Sequence, residues 1–179
     1  MYIWIACDLS DALCKVREEC LTLNESVCAN EVTFTLPQHL SLKISFEIAD
    51  ELYDSAVYDI REYFENTEPF TVKAPRLELA GNILWLRFDS ETQLVKMHSD
   101  FDKMAYEKYR VPPHEFDKSF AFHSTLFIDE DKEKLGLLFE KISGITVPES
   151  IVISRFIIGA SKTGKAGEYQ VKEIISAKK

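Results

Sequence analysis

The chain has 179 residues, of which 46% are hydrophobic, and this is enough to bury a core without a structural metal. Its 30 acidic and 21 basic residues give a formal net charge of −9, which argues against a broad basic surface that follows duplex DNA. One local cationic pocket remains compatible with this charge. The balance therefore favours small nucleotides or RNA ends over long polymers as partners.

The four cysteines, Cys7, Cys14, Cys20 and Cys28, include no C-x-x-C pair, so they do not indicate a metal knuckle. Their places in an apolar strand and along a helix stripe are typical of reduced thiols. The apolar start of the chain is too short for a signal peptide, and no stretch is long enough to span a bilayer. We therefore expect a cytoplasmic protein without a membrane partner, and we expect it to be a monomer.

Hydrophobic periodicity predicts an alternation of strands and helices. Three helices are expected to begin at capping side chains, Ser10, Asp50 and Ser90. Gly81 and Asn82 predict a hairpin turn, because both residues tolerate a positive φ. The predicted strands lie at 2–7, 39–46, 70–79, 83–88, 120–128, 151–158 and 168–175, and the predicted helices at 10–23, 50–66, 90–110 and 135–143.

This order of elements suggests two similar α+β halves rather than a doubly wound parallel sheet. No low-complexity linker interrupts the chain, so we expect residues 1–179 to form a single domain.

Two short segments carry the candidate chemistry. His39 and Ser41 lie two positions apart in one predicted strand, and His123 and Thr125 lie two positions apart in another. Residues at i and i+2 of a strand project from the same face, so each imidazole has a hydroxyl beside it. The two segments also occupy matching places in the two halves of the chain.

A phosphodiester needs one group to activate the attacking oxygen and another to protonate the leaving oxygen. Histidine suits both tasks, because its ordinary pKa of about 6.5 leaves both protonation states accessible. Hydroxyl groups beside the rings can hold the other phosphate oxygens. The four residues therefore predict phosphate-ester chemistry that needs neither a metal nor another cofactor, with a pH optimum near neutrality.

The segments His39-Leu40-Ser41-Leu42-Lys43 and His123-Ser124-Thr125-Leu126 resemble the two H-x-[ST]-x motifs of the two-histidine (2H) phosphoesterase superfamily, the LigT-like or 2'-5' RNA ligase group. The end of the chain, from Phe156 to Tyr169, is similar to the closing hairpin of that family. The sequence departs from the family pattern in having Ser41 where threonine is commoner and Phe122 where many relatives have proline.

The resemblance implies a bilobal α+β fold, with two pseudo-twofold related lobes of antiparallel sheet and helices around a central cleft. It also implies that His39 and His123 are catalytic and that Ser41 and Thr125 bind the substrate. The implied substrates are 2',3'-cyclic phosphates or 2'-5' phosphodiester bonds, in RNA ends or small nucleotides. Hydrolysis and ligation use the same groups, so the sequence does not separate a phosphodiesterase from a 2'-5' RNA ligase.

Several assignments stay open at this point. Lys43 shares the predicted face of His39 and is either a phosphate ligand or a solvated strand lysine. Phe127 is its counterpart in the second half, where it either stacks on a base or packs in the core. A nucleotide- or RNA-binding module without turnover is the alternative to an enzyme.

Overall fold

A computed structural model of the chain describes the backbone of residues 1–27 and 34–178, and the side chains of residues 1–23 and 34–178. Cys28 lies outside the described residues. Cys7, Cys14 and Cys20 are free thiols. The described residues form nine strands and four α-helices. In chain order these are β1 (Tyr2–Asp8), α1 (Cys14–Val27), β2 (His39–Glu47), α2 (Tyr53–Glu65), β3 (Phe70–Lys73), β4 (Arg76–Ala80), β5 (Ile83–Arg87), α3 (Thr92–Tyr109), β6 (His123–Ile128), α4 (Lys132–Ile142), β7 (Ser150–Ile153), β8 (Arg155–Ser161) and β9 (Gln170–Ser176).

The strands form two main antiparallel sheets. The larger sheet has the order β2-β1-β8-β9, and the smaller sheet has the order β4-β5-β6. A ribbon of β3 and β7 stands apart from both. The strands that carry the two histidine motifs, β2 and β6, are therefore edge strands of different sheets.

Helices α1 and α3 each pack in the lobe opposite to the sheet whose strand they follow in the chain. Helix α1 follows a strand of the larger sheet but packs beside α4, which lies on β4 and β5 of the smaller sheet. Helix α3 follows a strand of the smaller sheet but packs on β2, while α2 covers β8 and β9. The predicted α+β class with two lobes is thus confirmed, and one continuous cluster of buried hydrophobic residues runs through both lobes. No helix in the described part of the chain is long and apolar enough to cross a bilayer.

Two predicted strands turn out to be two strands each. The predicted strand at 70–79 divides into β3 and β4, because Pro75 has no N–H group to continue a ladder. The predicted strand at 151–158 divides at Ser154 into β7 and β8. The first part of each pair joins the ribbon and the second part joins a main sheet. Which sheet each part joins depends on its pairing with strands that are distant in the sequence, so local periodicity does not predict the division.

The predicted capping residues were wrong for three helices. Helix α1 begins at Cys14 rather than next to Ser10. Asp50 accepts a hydrogen bond from the N-terminal ammonium at 2.8 Å, and a short 3-10 turn precedes α2. Helix α3 follows Glu91, whose side chain makes no capping bond, instead of Ser90. The predicted turn is present between β4 and β5, with Gly81 at φ 65°.

Each motif strand contains an irregularity at the same point. In β2 the partner of Ala6 is Ser41 but the partner of Ile5 is Lys43, so one extra residue enters the strand at this point, and a second register shift follows between Ile5 and Ile3. In β6 the partner of Trp85 is Thr125 while that of Leu84 is Phe127. A bulge of this kind reverses the alternation of side chains beyond it. As a result Lys43 and Phe127 both point into the protein, contrary to the predicted faces, and each is almost completely buried.

Gln38 connects the two edge strands. Its side-chain amide donates hydrogen bonds to the Ser124 hydroxyl at 2.6 Å and to the Thr125 carbonyl at 3.0 Å. Its backbone carbonyl accepts a bond from the Leu9 N–H at 2.9 Å. The residue is 5% exposed, so these groups have little access to water as an alternative partner.

Replacing Gln38 by Leu should therefore lower the free energy of unfolding by about 1–3 kcal/mol, because the Thr125 carbonyl and the Ser124 hydroxyl lose a buried donor. Urea unfolding measures this change. Gln170→Leu is the matched control, since Gln170 is exposed and its replacement should change stability by about 0.5 kcal/mol or less. Equal stability of Gln38→Leu and the wild type would contradict the connecting role of Gln38.

Candidate active site

The two predicted catalytic histidines have the same local geometry. The Nδ1 of His39 lies 2.8 Å from the carbonyl oxygen of Pro37, and the Nδ1 of His123 lies 2.6 Å from that of Ala121. A carbonyl oxygen only accepts hydrogen bonds, so in each ring Nδ1 carries a proton and donates it. In the neutral ring this leaves Nε2 without a proton, and each histidine can take or give a proton at that atom.

A tryptophan from the neighbouring strand supports each ring. The Trp4 ring meets His39 edge-on, with ring centroids 4.4 Å apart, and the centroid of the Trp85 ring lies 4.2 Å from that of His123. Trp4 has room for this position because Gly159 is its partner on β8. A Cβ atom at Gly159 would lie 2.3 Å from Cε3 of the indole, which is far inside contact distance.

The two predicted hydroxyl groups are also half-buried beside the histidines. The Ser41 hydroxyl accepts a hydrogen bond from the Trp4 indole N–H at 3.1 Å, so its own proton is directed elsewhere and can be donated. Thr125 and His39 line one cleft of about 180 Å³. Gly167 and Tyr169, from the segment before β9, also line this cleft. The structure thus brings His39 of the first motif and Thr125 of the second to one cleft. Ser41 and His123 are not among the residues that line it.

The surroundings favour the neutral form of both rings. Burial lowers the pKa of His39 to about 4; the Pro37 carbonyl opposes this shift, and the charge of His123 adds to it. Burial also lowers the pKa of His123, and the positive charge of Arg87 contributes to the shift. Each ring is therefore harder to protonate than a free imidazole, and negative charge that enters the site would favour its protonation.

Lys43 does not lie where its predicted role in substrate binding requires. Its ammonium group forms ion pairs with Asp102 and Asp117, the latter at 3.0 Å, and its side chain is 2% exposed. The bulge in β2 turns this side chain toward α3 and away from His39. Because two carboxylates already compensate its charge, Lys43 is not available to a phosphate, and we exclude it from the site.

The carboxylates beside Lys43 also form a group with His98, and the candidate ligand atoms of His98, Asp102 and Asp117 lie within 4.8 Å of one another. The Lys43 ammonium contacts both carboxylates and so occupies the place that a cation would take. The Nδ1 of His98 lies 2.8 Å from the Leu42 carbonyl, at the bulge in β2. The arrangement therefore suits a structural ion-pair cluster that fixes α3 against β2.

Sequence reasoning missed several residues that support the site, above all Gln38, Trp4 and Trp85. Some indication of these residues was present in the sequence, since Gln38 directly precedes His39 and both tryptophans lie in predicted strands. What was lacking was the register between strands, which places each indole beside its histidine.

Replacing Lys43 by Met should lower the free energy of unfolding by about 3 kcal/mol or more, because two neighbouring carboxylates would lose their counter-charge. Denaturant unfolding gives this value. Lys96→Met serves as the control, since Lys96 is exposed and forms an i,i+4 ion pair that is worth about 0.5 kcal/mol. Similar losses in the two variants would show that the Lys43 cluster has no special structural role.

Known proteins resemble the chain in part of its sequence and in its fold. No family model matches the chain. One curated protein, named "Putative phosphoesterase OB1230" and found in Oceanobacillus iheyensis, is 27% identical over 106 residues. The match covers 58% of this chain and 61% of that protein, so the chain spans about three-fifths of the length of this relative.

Solved structures match over almost the whole chain. The Thermus thermophilus protein TT0787 aligns with a TM-score of 0.64 and 16% identity, covering 99% of this chain and 98% of that chain. E. coli LigT complexed with 3'-AMP aligns with a TM-score of 0.63 and 15% identity over the same shares. A third structure, described as a phosphoesterase, has a TM-score of 0.60 at 15% identity, again over 99% of this chain and 98% of that chain. The chain therefore shares its two-lobed fold with these proteins, E. coli LigT among them, and this is the fold that the resemblance of its two histidine motifs implied.

Proposed function

We propose that the chain is a metal-independent phosphodiesterase that acts on 2',3'-cyclic phosphate or 2'-5' phosphodiester bonds of RNA ends or small nucleotides. The observation that carries this proposal is the duplicated geometry of His39 and His123. Each ring is held through Nδ1 by a backbone carbonyl, and in the neutral ring each Nε2 is left to exchange a proton.

The substrate class rests on the fold and on the charge of the chain. A solved structure of E. coli LigT contains 3'-AMP, which makes a small nucleotide the first candidate. The net charge of −9 disfavours long polyanions, whereas a single phosphate needs only a local site.

In the proposed reaction one neutral histidine takes a proton from water while the water oxygen attacks phosphorus. The other histidine, in its protonated form, gives its proton to the ribose oxygen as the P–O bond breaks. The hydroxyls of Ser41 and Thr125 donate hydrogen bonds to the non-bridging oxygens, where negative charge accumulates. The products are a phosphomonoester and a free ribose hydroxyl, and the two histidines have exchanged protonation states.

Replacing either His39 or His123 by Ala should reduce the hydrolysis rate by about a hundredfold to ten-thousandfold, the usual contribution of a positioned acid or base. Because the two rings act as a unit, the double variant should lose much less than the product of the single losses. The assay is hydrolysis of 2',3'-cyclic nucleotides with a chelator present, and thermal unfolding checks that the variants are folded.

His114→Ala is the matched control, since His114 is exposed and caps a short 3-10 turn away from the cleft. Full activity in a single His39 or His123 variant would refute the proposed chemistry. So would activity that chelator abolishes and manganese restores. A wild-type chain that is stabilised by nucleotide but yields no product would instead be a binding module.

The pH dependence of kcat/KM should be bell-shaped with an optimum on the acid side of neutrality, between about pH 4 and 6.5. The free protein needs one protonated and one neutral ring, and the pKa values of both histidines are lowered. The rate should therefore rise as pH falls from 7, because one ring gains a proton, and then fall as pH approaches 4, when both rings are charged. This moves the optimum below the neutral value expected from unperturbed histidines.

A bound phosphate stabilises the charged rings, so the optimum of kcat should lie at higher pH than that of kcat/KM. Rates measured from pH 3.5 to 9 at constant ionic strength separate the two profiles. A kcat/KM that still increases between pH 7 and 8 would contradict the lowered pKa values of the two rings.

A further inference from the structure

Strand β5 carries two buried N–H donors that have no acceptor among the residues that the structure describes. These are the indole Nε1 of Trp85 and the Nη1 of Arg87. A buried donor without a partner costs free energy, so such groups are rare unless a ligand completes them. A charged guanidinium makes the cost larger.

Both donors belong to the surroundings of His123. Arg87 is the direct cross-strand partner of His123, and Trp85 is that of Thr125. Opposite residues in an antiparallel pair project from the same face of the sheet, with Cβ atoms about 5 Å apart. Burial lowers the pKa of His123 and the charge of Arg87 adds to this shift, as expected for a guanidinium on the same face as the imidazole.

The first half of the chain differs at the matching positions. Asp8 is the partner of His39, and its carboxylate is neutralised by Arg155 at 2.7 Å. The indole of Trp4 already donates to Ser41. The indole donor beside His39 is thus satisfied, while the two donors beside His123 have no acceptor in the described part of the chain. This difference breaks the similarity of the two halves.

We propose that Arg87, assisted by the Trp85 indole, is a further substrate-binding residue that holds the oxygens of the reacting phosphate beside His123. The inference rests on the proposed function and adds a positive charge beside the second motif, whose hydroxyl is neutral and whose histidine has a lowered pKa. A guanidinium can donate two parallel hydrogen bonds to a phosphate, which fixes its orientation as well as its charge. It would bind the extra negative charge of the transition state and of the phosphomonoester product more strongly than the singly charged diester.

Inorganic phosphate is the probe for this site, because its binding does not require turnover. Isothermal titration of the full chain at pH 6 should show that Arg87→Gln weakens phosphate binding by about tenfold to a hundredfold. Trp85→Phe, which keeps a ring but removes the N–H, should weaken it less. Arg76→Gln is the matched control, because Arg76 is the exposed neighbour of Arg87 on β4 and pairs with Asp89. It removes the same charge from the same sheet and should change phosphate affinity by about twofold or less.

A second measurement detects the interaction itself. NMR titration of the ligand-free protein should give a higher pKa for His123 in Arg87→Gln than in the wild type, because the repulsion from the guanidinium is lost. Loss of stability alone would not produce this shift. Should Arg87→Gln fail to fold, Arg87→Lys decides the matter. The lysine keeps the positive charge but cannot donate two parallel hydrogen bonds to one phosphate. Arg87→Lys should therefore bind phosphate at least about threefold more weakly than the wild type.

Wild-type phosphate affinity in Arg87→Gln, or in Arg87→Lys where the former does not fold, would overturn the inference. An equal loss in Arg76→Gln would also overturn it, because the effect would then be one of general charge. Ester hydrolysis that persists with unchanged KM in Arg87→Gln would remove the role of Arg87 and leave the proposed function standing. Phosphate binding that depends on Arg87 in a chain without esterase activity would support the inference and refute the proposed function.

Discussion

The amide of Gln38 joins two sheet edges that do not pair with each other, and the arrangement of the cleft depends on this connection. Strands β2 and β6 each end a different sheet, so each has backbone groups that a regular ladder would satisfy. Gln38 satisfies the Thr125 carbonyl and the Ser124 hydroxyl in place of a neighbouring strand. The two edges can therefore lie close together without closing into one continuous sheet, and a ligand can enter between them.

The two histidine motifs on either side of Gln38 have the same local backbone geometry. Each motif begins with a histidine bonded to the carbonyl two residues before it, and a bulge follows each motif at the same distance. At each bulge the next residue of the strand turns inward instead of sharing the face of the histidine. That residue is Phe127 in one half, where it fills the core, and Lys43 in the other, where two aspartates must accompany it. The same backbone geometry is thus stabilised by apolar packing on one side and by an ion-pair cluster on the other.

The sequence was sufficient to predict the strands and faces of the candidate site residues, but not the groups that surround them. Period-2 alternation identified the strands of His39 and His123 and the hydroxyl beside each ring, since the first three positions of both strands are regular. It failed at Lys43 because alternation assumes an uninterrupted ladder, and nothing local marks the bulge. The partners of Lys43 lie 59 and 74 positions away, so no local pattern predicts that its charge is compensated. The division of the strand at Ser154 likewise depends on which distant strands pair with its two parts.

The absence of a side chain at Gly159 has a consequence for how the site is held. Gly159, Trp4 and His39 lie on three successive strands of the larger sheet, and each touches the next across the row. The indole of Trp4 can lie against β8 only because residue 159 has no side chain. The same indole contacts the imidazole of His39 and donates a hydrogen bond to the hydroxyl of Ser41. Even one methyl group at Gly159 would displace the indole, since interiors this tightly packed transmit small shifts rather than absorb them. Two strands away from the cleft, the smallest residue of the chain therefore sets the alignment of the first motif.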